Sequence, residues 1–276
     1  MTKIATITNI GFFKILKESF SLYFRNIFRL IAIVAWICLP ASIFFVLIFY
    51  WGLSEKTLEI LSTISYPTAF LLLLLLNMVM LKSIRSWDEK KTVEILNIYA
   101  QAFSLFFRYI WVLILVAVRI FLWSLPFIIS VIIGVLNYRE GKGSRWLWIW
   151  ISFLFFIPVL NPVYNYTFSF FAFLIDGKRG MDALRYSKQL VKPNFWKLVG
   201  YFFLLSLIMQ PVYKLIFWGI DRVQSLPLLA VNLFPLIFYN CLLNLFALTV
   251  GFFPLVFFYF LYKKFRREEK SVEERV

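Results

Sequence analysis

Ser19-Phe-Ser-Leu22-Tyr-Phe-Arg25-Asn26 stands directly before a long hydrophobic run, and two similar blocks hold the same position later in the chain. The second block reads Ala102-Phe-Ser-Leu105-Phe-Phe-Arg108-Tyr109, and the third reads Ser187-Lys-Gln-Leu190-Val-Lys192-Pro-Asn194. Successive blocks begin 83 residues (19 to 102) and 85 residues (102 to 187) apart. A spacing this regular in a hydrophobic chain indicates one unit of about two transmembrane helices used three times.

The composition predicts a membrane protein. Hydrophobic residues make up 62% of the chain and the mean hydropathy is +0.82, whereas a soluble domain is roughly 45–50% apolar. At about 20 residues for each span, 276 residues leave room for about six spans and no separate soluble domain. We therefore expect an all-α polytopic membrane protein with a single integral membrane domain over residues 1–276. The polar start, Met1 to Asn9, shows no cleavable signal, so the first span should act as the targeting signal.

Each repeat is expected to combine an interfacial amphipathic helix with two spans. The repeats cover approximately residues 9–83, 92–175 and 180–262, and a basic tail follows at 263–276. The candidate spans are residues 28–51, 62–83, 109–136, 146–175, 197–219 and 233–262.

The distribution of Lys and Arg predicts the orientation. Connections on the side of both termini carry 22 of these residues, and connections on the opposite side carry five. Because positively charged loops stay in the cytoplasm, both termini are expected to be cytoplasmic, in a multi-pass protein of the inner (cytoplasmic) membrane. The net charge of +15 follows this topology and does not indicate nucleic-acid binding.

Helical spacing predicts an amphipathic helix at the start of each repeat. The predicted apolar faces are Phe13, Leu16, Phe20, Tyr23, Phe24 and Ile27 in the first copy, Ile95, Leu96, Tyr99, Phe103 and Phe106 in the second, and Ala183, Leu184, Ser187, Leu190 and Val191 in the third. Such helices lie in the headgroup plane with their cations toward lipid phosphates. They either anchor the next span or recognise an anionic lipid, and the basic residues concerned are Lys14, Lys17, Arg25, Arg108, Arg185, Lys188 and Lys192.

Arg119 is the strongest candidate for an intramembrane site. Counted from Tyr109 at about 1.5 Å per residue, it lies roughly 15 Å deep, where a guanidinium costs about 2.5 kcal/mol or more. It is either a structural hydrogen-bond hub or a contact for an anion or a lipid phosphate. The polar side chains that could serve it are Asn161, Asn165, Gln210, Asn240 and Asn244.

Prolines recur in the odd-numbered spans. Pro40, Pro126 and Pro211 are separated by 86 (40 to 126) and 85 (126 to 211) residues, and Pro162 interrupts the fourth span. Each frees a backbone carbonyl and permits a helix kink. Three related kinks could surround a polar cavity, or they could be curved packing surfaces.

The residue inventory argues against catalysis. Histidine is absent, and all 14 acidic residues fall in loops, interfacial helices or the tail. Proton relays and intramembrane proteases place such groups at bilayer depth. The two cysteines, Cys38 and Cys241, form no metal or redox motif. We expect no enzymatic activity, no metal and no cofactor.

A resemblance to one family rests on the segment Asp176-Gly-Lys-Arg-Gly-Met-Asp-Ala183-Leu-Arg-Tyr-Ser187-Lys-Gln-Leu190-Val-Lys-Pro-Asn-Phe195-Trp196 and on Leu261-Tyr262 near the end. It resembles the membrane domain associated with glycerophosphoryl diester phosphodiesterases and its stand-alone six-helix relatives in bacteria and archaea. Where that family has an Asp after the terminal Leu-Tyr, this chain has Lys263 or Lys264. The resemblance implies six helices in three pairs and no catalytic domain.

Together these features predict a non-enzymatic integral membrane protein that organises or contacts anionic lipid or an unidentified membrane protein partner. The alternative is a small transporter or permease-like protein with a polar cavity around Arg119. A continuous polar lining through both leaflets would favour the transporter, and a dry aromatic bundle would favour the first interpretation.

Overall fold

A computed structural model describes residues 11–36, 40, 55–91, 94–139, 145–224, 245 and 247–273. Throughout these ranges the secondary structure is helical and contains no strand, which confirms the all-α prediction. The helices are α1 (Phe12–Arg25), α2 (Ile27–Trp36), α3 (Glu55–Asp88), α4 (Ile95–Arg139), α5 (Arg145–Asn165), α6 (Ser169–Asp176), α7 (Gly180–Val191), α8 (Phe195–Gln224) and α9 (Phe253–Glu273). A 3₁₀ turn, Lys192–Asn194, joins α7 to α8.

The protein is a multi-pass membrane protein. Within the described ranges, five helical segments are long and apolar enough to cross a bilayer: Pro67–Asp88, Ile95–Tyr138, Ile149–Asp176, Gly180–Ile216 and Ala247–Ser271. The first expected span falls on α2 and residues largely outside the described ranges, and the early part of the sixth also lies outside them.

The chain divides into two compact units. The first comprises Met1–Ser104 with Tyr201–Lys263, and the second comprises Leu105–Gly200 with Lys264–Val276. The first unit packs α1 against α9: the Phe12 and Phe257 rings lie 5.4 Å apart, and the Tyr23 hydroxyl donates to the Thr249 carbonyl at 2.8 Å. Burial, with a smaller contribution from Tyr213, raises the pKa of Tyr23 to about 12, so this hydroxyl stays a donor.

The second unit forms around α7. Five residues of this helix are buried, and they are the five predicted for its apolar face: Ala183, Leu184, Ser187, Leu190 and Val191. The face of α7 was therefore predicted correctly. Phe168, fully buried, packs edge-on against Phe265 of α9 with ring centroids 5.8 Å apart.

The predicted apolar faces of the first two amphipathic stretches, which were expected to lie toward lipid, are only partly buried within the protein. The large rings Phe13, Phe24 and Phe103 are exposed, and the chain buries a face rotated from theirs. That face carries small residues, Ser19 and Ala102, each fully buried. Small side chains let helices approach closely, while in lipid an exposed ring carries no penalty, so hydrophobicity alone does not identify the packed face of a membrane helix.

The three blocks share one burial pattern when they are read from their first residue. The first residue is buried in every block (Ser19, Ala102, Ser187), and so is the eighth (Asn26, Tyr109, Asn194). The second, third, sixth and seventh residues of each block are exposed. Each block therefore presents the same face to the protein interior.

The second block differs in having no break after it. Asn26 follows the end of α1, and its side-chain amide donates to the Leu22 carbonyl; Asn194 makes the same contact with Leu190 before α8. Tyr109 packs on Phe170, and α4 continues unbroken for 45 residues, about 68 Å. The amphipathic stretch of the second repeat is therefore the start of α4 and not a separate helix.

Gly177 ends α6 in the left-handed conformation, with φ of 67°. Changing Gly177 to alanine should cost about 1 kcal/mol of stability, since a Cβ opposes this conformation although no atom lies within 4 Å of it. Gly200, inside α8 with equally open space, is the matched control, and Gly200→Ala should stabilise by a similar amount. Melting temperatures in detergent would check both signs, and equal shifts in one direction would contradict this assignment.

Candidate functional site

A cavity of about 670 Å³ lies within the second unit. It is bounded by α4, by the end of α5, and by the α7–3₁₀–α8 segment. Three cations line it: Arg119 from α4, Lys188 from α7 and Lys192 from the 3₁₀ turn. Much of the remaining wall is aromatic, comprising Trp123, Tyr164, Tyr166, Phe195 and Trp196.

The cations of this cavity have no counter-charge in the described part of the chain. None of the lining residues is acidic. Arg119, Lys188 and Lys192 make no ion pair or side-chain hydrogen bond with any described residue. Three like charges beside one apolar cavity repel one another and create a positive local potential. The cavity therefore combines positive charge with apolar surface.

A second cavity, of about 200 Å³, shares three wall residues with the first: Arg119, Tyr166 and Lys188. It adds a fourth cation, Arg185. The Arg185 guanidinium approaches Asp182 at 3.8 Å, but both side chains are more than 70% exposed, so this pair is weak. The two adjoining cavities thus bring together four of the basic or intramembrane residues predicted from the sequence.

Ser187 fixes α7 against the end of α5. Its hydroxyl donates to the Asn165 carbonyl at 2.7 Å and accepts from the Phe168 backbone N–H at 3.1 Å. Both contacts lie at the break between α5 and α6, where backbone groups lose their helical partners. Ser187 is fully buried. The serine therefore sets the position of Lys188, the next residue, relative to Asn165.

Asn161 and Asn165, both predicted as partners of Arg119, line the same cavity. The Asn165 side-chain amide donates to the Asn161 side chain, one turn earlier on α5. Arg119 donates no hydrogen bond to either residue. The two asparagines contribute polar surface to the cavity, and they do not neutralise its charge.

The depth of Arg119 was predicted by counting from Tyr109. Because α4 begins at Ile95 and passes through Tyr109 without interruption, a count from Tyr109 does not fix the depth of the arginine. The structure instead groups Arg119 with Lys188 and Lys192, which belong to the third block. The sequence carried no signal for this proximity, because it depends on how α4 packs against α7.

The other predicted site residues lie elsewhere. Gln210 and Pro211 are exposed on the part of α8 in the first unit and are not among the lining residues. Helices α4 and α8 continue through Pro126 and Pro211, whereas α5 ends three residues after Pro162, a buried wall residue. Asn240 and Asn244 are outside the described residues. Pro40, Lys14, Lys17, Arg25 and Arg108 are exposed.

Two ion pairs on α9 were missed by sequence reasoning. In the first unit, Lys263 pairs with Asp88, and the Tyr259 hydroxyl donates to the same carboxylate at 2.8 Å. In the second unit, Arg266 contacts the buried Asp176 at 2.7 Å. Beside Asp88, hydrogen bonds from Lys91 and Arg85 lower the pKa of Glu89 to about 2. Asp88, Asp176 and Lys263 are separated by 88 (88 to 176) and 87 (176 to 263) residues. This regular spacing is the sequence signal that could have pointed to them.

Chemically, the site offers cations, amides, phenols and aromatic surface. In the part of the chain that the structure describes, no three His, Cys, Asp or Glu side chains come together to hold a metal ion. No protein-family model, curated protein or solved structure matches this chain. The geometry of the two adjoining cavities is therefore the main guide to function.

Proposed function

We propose that this protein is a non-enzymatic membrane protein that binds the phosphate of an anionic lipid in the cavity lined by Arg119, Lys188 and Lys192. One observation carries the proposal: three cations from three elements line a single cavity whose described lining has no acid. Arginine and lysine are the residues that bind phosphate, arginine through two parallel hydrogen bonds.

The rest of the cavity fits the other part of a lipid. Its walls include Trp123, Phe195 and Trp196, and Trp196 is 81% exposed. Tryptophan prefers the boundary between headgroups and acyl chains. A lipid could place its phosphate on the cations and its chains along this aromatic surface, whereas a free anion would use only the polar part.

Retention of an anionic phospholipid should fall at least tenfold in Arg119→Ala and in Lys188→Ala. Each variant removes a charge-assisted contact, and such contacts contribute roughly 1.5–3 kcal/mol. Native mass spectrometry of the protein extracted with its lipids would measure the bound fraction. Arg108→Ala provides the matched control, because Arg108 is exposed on the same helix and outside the cavity lining.

Equal retention by all three variants and the wild type would overturn the proposal. So would an equal loss in Arg108→Ala, since the lipid would then be held by overall charge. Retention of a protein instead of a lipid would favour the membrane-partner interpretation.

We also propose the membrane in which the protein resides and its orientation there. The imbalance of 22 to five cations supports an inner-membrane protein with both termini in the cytoplasm. The cavity cations of α7 then face the cytoplasmic leaflet, where anionic lipids attract basic segments. A carboxyl-terminal alkaline phosphatase fusion should be inactive, and an active fusion would reverse the orientation.

The architecture we propose is three internal repeats, and the shared burial pattern of the three blocks supports it. We also place the chain with the stand-alone membrane domains that it resembles, because motif residues have clear structural roles. Gly177 adopts positive φ, Ala183 and Leu190 are buried, and Ser187 bridges two helices. A set of homologous sequences with unrelated residues at these positions would count against the family.

A further inference from the structure

We infer that the site takes a lipid whose headgroup carries two phosphate diesters, one bound in each of the two adjoining cavities. The inference rests on the proposed function and names the class of lipid. It starts from the two cavities of about 670 and 200 Å³, which meet at Arg119, Tyr166 and Lys188. A single phosphate leaves one of the two cavities without an anion.

Each cavity has a cation of its own in addition to the shared pair. Lys192 lines only the larger cavity and Arg185 only the smaller one. Either cavity can therefore surround a phosphate with three cations, two of them shared. Lys188 and Arg119, at the junction, contact both phosphates.

The count of charges favours two phosphates over one. Four cations line the adjoining cavities, and neither lining includes an acidic residue. A single diester supplies one negative charge against these four positive ones. Two diesters on one glycerol bridge supply two.

A lipid is favoured over a soluble diphosphate because the larger cavity is mostly apolar. Its wall includes Ile157, Leu160 and Val199, which offer no hydrogen bond to a hydrated anion. Acyl chains or a glycerol backbone would cover this surface. The smaller cavity adds Met181 and Leu184 beside its cations.

The test measures the affinity of the full chain in detergent for four probes by thermal shift. The probes are diphosphatidylglycerol, phosphatidylglycerol, phosphatidylcholine and inorganic pyrophosphate. The wild type should bind diphosphatidylglycerol about fivefold or more tightly than phosphatidylglycerol, as expected for one additional cation–phosphate contact. Phosphatidylcholine and pyrophosphate should not shift the melting temperature.

The variants Arg185→Ala and Lys192→Ala separate the two cavities. Each should reduce diphosphatidylglycerol affinity to the level of phosphatidylglycerol and leave phosphatidylglycerol affinity within twofold of the wild type. Lys17→Ala, an exposed cation of α1, should preserve the preference. Because Arg185 and Lys192 are exposed and lie in different cavities, either variant decides the test if the other fails to fold.

Equal wild-type affinity for the two anionic lipids would overturn the two-phosphate inference and leave the proposed function standing. If Arg185→Ala and Lys192→Ala both still bind diphosphatidylglycerol more tightly than phosphatidylglycerol, the two-phosphate inference is also overturned. The charge of the lipid alone would then explain the binding. Binding of pyrophosphate as tight as the lipid would replace the lipid with a soluble anion. Binding of no anionic probe would defeat the proposed function itself.

Discussion

Changing Arg266 to alanine is expected to lower the stability of the protein by about 3 kcal/mol. Arg266 contacts Asp176 at 2.7 Å, and the carboxylate side chain is only 6% exposed while the arginine is 36% exposed. Removing the more exposed partner takes an ion-pair partner away from a buried carboxylate, which costs roughly 3–5 kcal/mol, and we take the lower end because the pair is partly open. The melting temperature in detergent should fall by roughly 6–12 °C.

Two further variants make this result specific. Arg267→Ala removes the neighbouring exposed cation and should change stability by no more than about 0.5 kcal/mol. The double variant Asp176→Asn with Arg266→Ala should recover much of the loss, because no charge is then left buried. A loss that is equal in Arg266→Ala and Arg267→Ala would show that the ion pair contributes nothing.

Changing Ser187 to alanine is expected to cost about 1–3 kcal/mol and to weaken lipid retention. The hydroxyl satisfies the Phe168 N–H and the Asn165 carbonyl at the α5–α6 break, and the variant leaves both without this partner. Because Ser187 also sets the position of Lys188, bound lipid should fall together with stability. Melting temperature and native mass spectrometry on the same preparation would measure the two effects.

Ser19→Ala is the matched control, because Ser19 is equally buried and opens the first block as Ser187 opens the third. Its hydroxyl donates to the Ile15 carbonyl one turn earlier in α1, and that carbonyl also lies in reach of the helical N–H. The control should therefore lose less than about 1 kcal/mol. Equal losses in the two variants would mean that the α5–α6 contacts of Ser187 carry no special stability.

The helical fold class and the three similar blocks could be identified from the sequence, because both depend on the local pattern of residues. Hydrophobic runs of spanning length predict helices wherever they occur. The face of α7 was predicted correctly because its polar side is strongly charged, with Asp182, Arg185 and Lys188 opposite the apolar residues. In α1 and at the start of α4 the large rings Phe13, Phe24 and Phe103 are exposed, so apolar character alone did not identify the side that packs within the protein.

The candidate site could not be predicted from the sequence, because it depends on contacts between residues that are far apart in the chain. Arg119 and Lys188 are 69 residues apart (119 to 188), and only the packing of α4 beside α7 makes them walls of one cavity. Lys263 stood out as a departure from the family pattern, but its partner Asp88 could not be identified without the structure.

Helix α4 is longer than the membrane is thick. Its 45 residues extend about 68 Å, roughly twice the hydrocarbon core of about 30 Å. At a tilt of about 40°, the upper end for spanning helices, hydrocarbon accommodates only about 26 of its residues. About 19 residues must then project beyond the hydrocarbon.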